Sequence, residues 1–173
     1  MSKTTWHARN AVLDASLLYR YVLFRGRGDA QSKTVVWIML NPSTADGLQD
    51  DPTIRRCMSF TEAWNCNRML VVNLFAYRTS NPDVLWQAQQ AQVDIVGPAN
   101  DLYIARALRD ATHVIAAWGS QRNAQPRVDQ LLNDTLRDQE LLCLKQTREG
   151  HPAHPLYIPK HQELEVWRKV PST

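Results

Sequence analysis

Residues 35–51 read VVWIMLNPSTADGLQDD. The first six are apolar without interruption, the pattern of a strand buried on both faces. The run stops abruptly at Asn41-Pro42 and gives way to small hydroxyl and acidic residues. A strand that ends this way delivers polar side chains to the rim of a sheet. In open α/β sheets that rim, beyond the carboxyl ends of the strands, is where ligands sit.

Working outward, residues 68–74 (RMLVVNL), 113–118 (HVIAAW) and 141–144 (LLCL) read as further strands. Between them lie helix signals. Asp51-Pro52 and Asn81-Pro82 each pair a capping side chain with a proline at the first helical position. The second of these helices runs to about residue 89, a further one spans residues 99–110 after Gly97-Pro98, and another runs from Pro126 to about residue 139. Upstream, the β-like runs 19–24 and 34–40 flank GRGDAQSK, a hairpin signal. Residues 1–18 read as a polar arm or short helix. The tail from Thr147 holds a His- and Pro-rich loop and a short helical stretch at 163–169.

Strands alternating with helices predict a three-layer α/β/α domain over residues 19–173. Its central sheet has about four mostly parallel strands, with the opening hairpin adding an antiparallel edge. A chain of 173 residues suits one such domain. Its 44% hydrophobic and 21% charged content is ordinary for a globular protein, and a net charge of +3 does not by itself argue for nucleic acid. Three cysteines without CxxC spacing read as reduced thiols, and no apolar run approaches signal-peptide or membrane-spanning length. The expected setting is the cytoplasm, with no membrane partner.

Four segments carry polar side chains off strand ends: Asn41-Pro42-Ser43-Thr44, Asn73, Gly119-Ser120, and His151 with His154. Singly, each has a bland reading. An Asn-Pro turn ends strands, an Asn late in a strand plugs hydrogen bonds, and a lone His is structural. Spaced one βα unit apart, all four converge on one edge of a parallel sheet and point to one site. Asp50-Asp51 is most simply a helix cap with an acidic neighbour. No HxxxH pattern joins His151, His154 or His161, so no metal site is predicted.

The strings LNPSTAD, DDPTIRRC, NLFAYRTSNP, VIAAWGS and GHPAHPLYI resemble the bacterial and phage family of unknown function DUF1643, over roughly residues 19–160. The order of the motifs is also similar to that of the uracil-DNA glycosylase superfamily. That superfamily has an Asp/Asn-Pro motif after a strand, then an Asn-bearing strand, a strand ending Trp-Gly-Ser, and a His-Pro loop. This chain has Asn41-Pro42, Asn73, Trp118-Gly119-Ser120 and His154-Pro155-Leu156-Tyr157 in that order.

The second resemblance implies a glycosylase-like fold and an N-glycosidase, a hydrolase of base excision that releases a modified or mismatched base from DNA and needs no cofactor. A flipped base is read on its Watson–Crick edge, which suits the amide of Asn73, and stacks on an aromatic, Phe75 or Tyr77. His154 would stabilise charge on the departing base and Asn41 would hold the water. Ser43, Thr44, Gly119 and Ser120, with Arg55 and Arg78, would contact phosphate.

The sequence departs from that pattern. Asn41 stands where the fastest members carry Asp, although mismatch-specific members also use Asn there; Asp46, Asp50 and Asp51 are the carboxylates that could substitute. Met39-Leu40 replaces the usual Gly of the first motif, and His151-Pro152 competes with His154-Pro155. Two other readings stand beside the glycosylase. One is a non-catalytic binder of nucleotides or nucleic acid; the other is a metal-dependent nucleotide or phosphate hydrolase built on Asp46, Asp50 and Asp51. The glycosylase reading requires Asn41, Asn73 and His154 to line one cleft.

Overall fold

A computed structural model describes residues 5–28 and 33–170. The apolar run forms strand β3 (Thr34–Met39), buried at every position. Its side chains alternate between two cores. Val35, Trp37 and Met39 join the core beneath helix α1 (Pro52–Ala63), while Val36 and Ile38 face helices α2 (Pro82–Gln90), α3 (Asn100–Leu108) and α4 (Gln125–Asn133). Strand β4 (Arg68–Asn73) alternates in the same way: Met69 and Val71 face α1, and Val72 faces the opposite side. Helices therefore cover both faces of the sheet.

Strands β1 (Ala8–Leu13), β2 (Arg20–Gly26), β5 (His113–Ala116), β6 (Leu141–Cys143) and β7 (Glu165–Arg168) complete a seven-stranded sheet in the order β1-β2-β4-β3-β5-β6-β7. Pairings β4·β3, β3·β5 and β5·β6 are parallel; β1·β2, β2·β4 and β6·β7 are antiparallel. The fold is mixed α/β with four α-helices among the described residues. None of those helices is long and apolar enough to cross a membrane.

The sheet is larger and more mixed than the predicted four or so strands. The hairpin is the chief difference. β2 and β3 are not neighbours, because β4 inserts between them with Leu23 opposite Val71 on one side and Trp37 opposite Val71 on the other. Burying β3 on both edges and both faces outweighs the local pairing that a short connection suggests. The connection's tip, residues 29–32, lies outside the described residues, as do residues 1–4 and 171–173. The arm predicted over residues 1–18 contributes edge strand β1, and the helix predicted over 163–169 is edge strand β7, where Val166 pairs with Leu142. Helix α4 ends at Asn133, short of the predicted 139, at the turn around Asp134.

Helix α1 starts where the sequence places it. Asp51 is extended (φ −85°, ψ 172°), its Oδ1 accepts the Ile54 amide at 2.8 Å, and Pro52 opens the first turn. Ile54, Cys57 and Phe60 then face the sheet, and Trp37 Nε1 donates to Thr61 Oγ1 at 3.1 Å. All three cysteines are free and buried, with thiol pKa values pushed up by burial. Trp37→Ala should cost about 3–5 kcal/mol. Thr61→Val should cost about 1–3 kcal/mol by orphaning the indole N–H. Urea unfolding of the two variants beside wild type measures both.

Candidate functional site

The carboxyl ends of β3, β4 and β5 open on one cleft of about 360 Å³, on the α1 side of the sheet. Met39, Val71 and Ile54 supply apolar walls. Asn41, Asn73, His154, Ser43, Gly119 and Ser120 all line it, with Asp51 at the start of α1. Five segments far apart in sequence meet there because parallel strands present their carboxyl ends on the same edge.

Asn73 is the last residue of β4 and is only 1% exposed, yet neither Oδ1 nor Nδ2 has a hydrogen-bond partner. Leaving a buried donor and acceptor both unpaired costs about 1–3 kcal/mol each. Its backbone is held firmly. Asn100 Nδ2 donates to the carbonyls of Asn73 at 3.0 Å and Leu74 at 3.1 Å, and Arg127 Nε donates to Leu74 O at 3.0 Å. Arg127 is itself paired to Asp101. An unpaired amide on a fixed backbone that lines a cleft has one donor and one acceptor side by side to offer.

Asn41 does something different. Its Nδ2 donates to Thr79 O at 2.9 Å, Pro42 O at 3.1 Å and Tyr77 O at 3.4 Å. It ties the loop after β3 to the loop after β4, leaving only Oδ1 for a ligand or water.

His154 enters from the tail, capping a short 3-10 turn, Pro155–Tyr157. Its Nδ1 accepts the Leu156 amide at 3.3 Å, so the neutral ring carries its proton on Nε2. Burial holds the imidazole below its ordinary value, and the nearby Asp51 carboxylate opposes that shift. His154 is thus a neutral hydrogen-bond donor at neutral pH, with the Asp51 carboxylate beside it. His151 lies apart, 3.7 Å from Glu149, and does not line the cleft.

Gly119 adopts φ +78° and its amide is bonded to Pro152 O at 2.9 Å. A Cβ there would meet only His154 Cβ at 3.9 Å, so backbone conformation rather than crowding calls for glycine. Its amide is spent, which removes it as a phosphate donor.

Several predicted site residues fall elsewhere. Phe75 is 2% exposed in the opposite core, edge-on to Trp86, because the chain turns to the α2 side after Asn73. Tyr77 packs against Tyr19. Neither lines the cleft, so neither can stack on a ligand there; Trp118 and Tyr157 are the aromatics that do line it. Thr44 and Arg55 are exposed outside it, and Arg55 Nη1 donates to Asp50 O. Arg78 donates to Leu17 O at 3.0 Å. Asp46 accepts the amides of Leu48 and Gln49, and Asp50 is bound by Arg9 and Arg25. Of the three clustered acids only Asp51 reaches the cleft, and no group of three or more His, Cys, Asp or Glu among the described residues is placed to hold a metal.

The family described as a protein of unknown function, DUF1643, matches residues 20–156. The chain belongs to that family. No curated protein and no solved structure matches it. The DUF1643 match runs from Arg20 through Leu156, and both of these residues line the cleft.

Sequence reasoning missed Arg20, Thr53, Thr79 and Gln121, which also line the cleft. In the sequence Arg20 stands near Arg25 and Arg27, and nothing local marks it as buried. A depressed His154 pKa means that the unfolded chain takes up the proton first. The contribution to stability is complete above the ordinary value of 6.5 and is lost as pH falls through 6.5 toward the folded value. An NMR titration of the ring should give a midpoint below 6.5, and Asp51→Asn should lower it further. Asn41→Ala should cost about 1–2 kcal/mol of stability through its lost loop tie.

Proposed function

We propose that the cleft receives a nucleobase read by Asn73, and that the protein is an N-glycosidase acting on a modified or mismatched base in DNA. The observation that carries this is the buried, unpartnered Asn73 amide sharing a cleft with Asn41 and His154. Motif order supports reading the surrounding α/β fold as uracil-DNA glycosylase-like.

In this reading the base enters edge-first against Asn73, whose Oδ1 accepts and Nδ2 donates. The bond between the sugar C1′ and the base nitrogen breaks, and its electron pair leaves with the base. His154 Nε2–H donates to the base oxygen on which that charge accumulates. Water attacks C1′, held by Asn41 Oδ1, and gives up its proton to the Asp51 carboxylate, from which the departing base is finally protonated. Asp51 is free for this on one oxygen, since Oδ1 caps α1. Tyr157, 83% exposed, and Leu156, 44% exposed, stand at the lip, where they would fill the space an extruded base vacates.

One observation favours a binder without turnover. The Asn41 Nδ2 is committed to backbone carbonyls, and no carboxylate occupies that position. Asp51 decides between the two. Base release from oligonucleotides carrying uracil, hypoxanthine and 5-hydroxymethyluracil, read as alkali-labile sites, tests the reading. Release is expected to drop roughly 100-fold or more in Asn73→Ala, Asp51→Asn and His154→Ala. Tight binding with no release from any substrate would assign the protein to the binder class.

A further inference from the structure

Arg20, at the start of β2, is 2% exposed and lines the same cleft as Asn73. Its Nη1 donates to the Ala45 carbonyl, and its Nε has no partner. Among the described residues it takes part in no ion pair. The other arginine fully buried on this strand is treated differently: Arg25 is closed off by Asp50 at 2.7 Å and by the carbonyls of Asp46 and Gln49.

A buried guanidinium without a carboxylate is costly, because desolvation is not repaid by a counter-charge. Burial brings its pKa down to about 10; Asp51 acts against that shift, whereas Arg78 and Arg25 add to it. It stays charged at neutral pH. Arg78 Nε is likewise buried and unpartnered. Arg20 therefore sits beneath the cleft as a fixed cation with donor capacity in hand, next to an amide whose two polar atoms are also unspent.

We propose that Arg20 is the anion-binding group of this cleft, taking an anionic oxygen of the ligand that lies against Asn73. This deepens the nucleobase reading and rests on it for what Asn73 holds. The oxygen belongs either to a base carrying negative charge on its ring or to a nucleotide phosphate. In the first case Arg20 joins His154 in stabilising the departing base, so bases that leave as stable anions are the preferred substrates. A planar, forked donor suits either oxygen.

Calorimetric titration at pH 8 with uracil, with the acidic pyrimidine 5-nitrouracil, with uridine 5′-monophosphate and with inorganic phosphate tests this. One anionic probe should bind about tenfold or more tightly than neutral uracil. Preference for 5-nitrouracil identifies the base as the source, and preference for the monophosphate or phosphate identifies the phosphate. In Arg20→Gln that preference should fall to about twofold or less while Asn73-dependent uracil binding persists. Arg20→Lys keeps the cation but not the fork, and should show an intermediate preference should the glutamine variant not fold. Uracil binding with no anion preference, or a preference that survives in both variants, would overturn the proposal. Phosphate binding that needs Arg20, without any binding of uracil, would uphold it and sink the nucleobase reading instead.

Discussion

β4 ends inside the protein, so the carbonyls of Asn73 and Leu74 leave the sheet's hydrogen-bond ladder without reaching water. Buried backbone acceptors must be paired, and here side chains do it. Asn100 and Arg127 serve the end of β4, Asn41 serves the loop that follows it, and Arg20 and Arg25 serve the loop after β3. The long amide and guanidinium side chains around the site are there first to satisfy backbone. Against that background Asn73 stands out: it has the same chemistry and the same depth, and serves no backbone group.

The same accounting explains which parts of the site were legible in the sequence. The Asn-Pro turn, the Asn late in β4, the Gly-Ser turn and His154 all reach one cleft, because an uninterrupted apolar run reveals a central strand and central parallel strands share an edge. The two asparagines nevertheless spend their amides differently. Asn73, expected to read a base edge, is left unbonded, whereas Asn41, expected to hold a water, spends its Nδ2 on loop carbonyls. Sequence cannot separate them, since the difference lies in which carbonyls are within reach. Phe75 and Tyr77 lie outside the cleft for a related reason: strand alternation predicts a facing only while the strand lasts, and β4 ends at Asn73.

The fold's middle was readable and its edges were not. β3 is apolar throughout, and Asp51-Pro52 and Asn81-Pro82 mark helix starts through local capping chemistry. β1 and β7 are half exposed and carry mixed residues such as ARNAVL and EVWR, which neither alternate cleanly nor form an apolar run. Their strand character comes from the neighbour they pair with. The β2–β4–β3 order is likewise a long-range outcome, in which two parallel strands share one buried face and push the antiparallel partner outward.

Arg56, one turn into α1, has a consequence for whatever meets the cleft from outside. Its guanidinium lies over the Phe60 ring and donates to the carbonyls of Pro155 and Ile158, on either side of the exposed Leu156 and Tyr157. The lip is thereby tied to the helix that forms part of the cleft wall. Any group that enters the cleft passes between a helix and a loop bridged by one guanidinium.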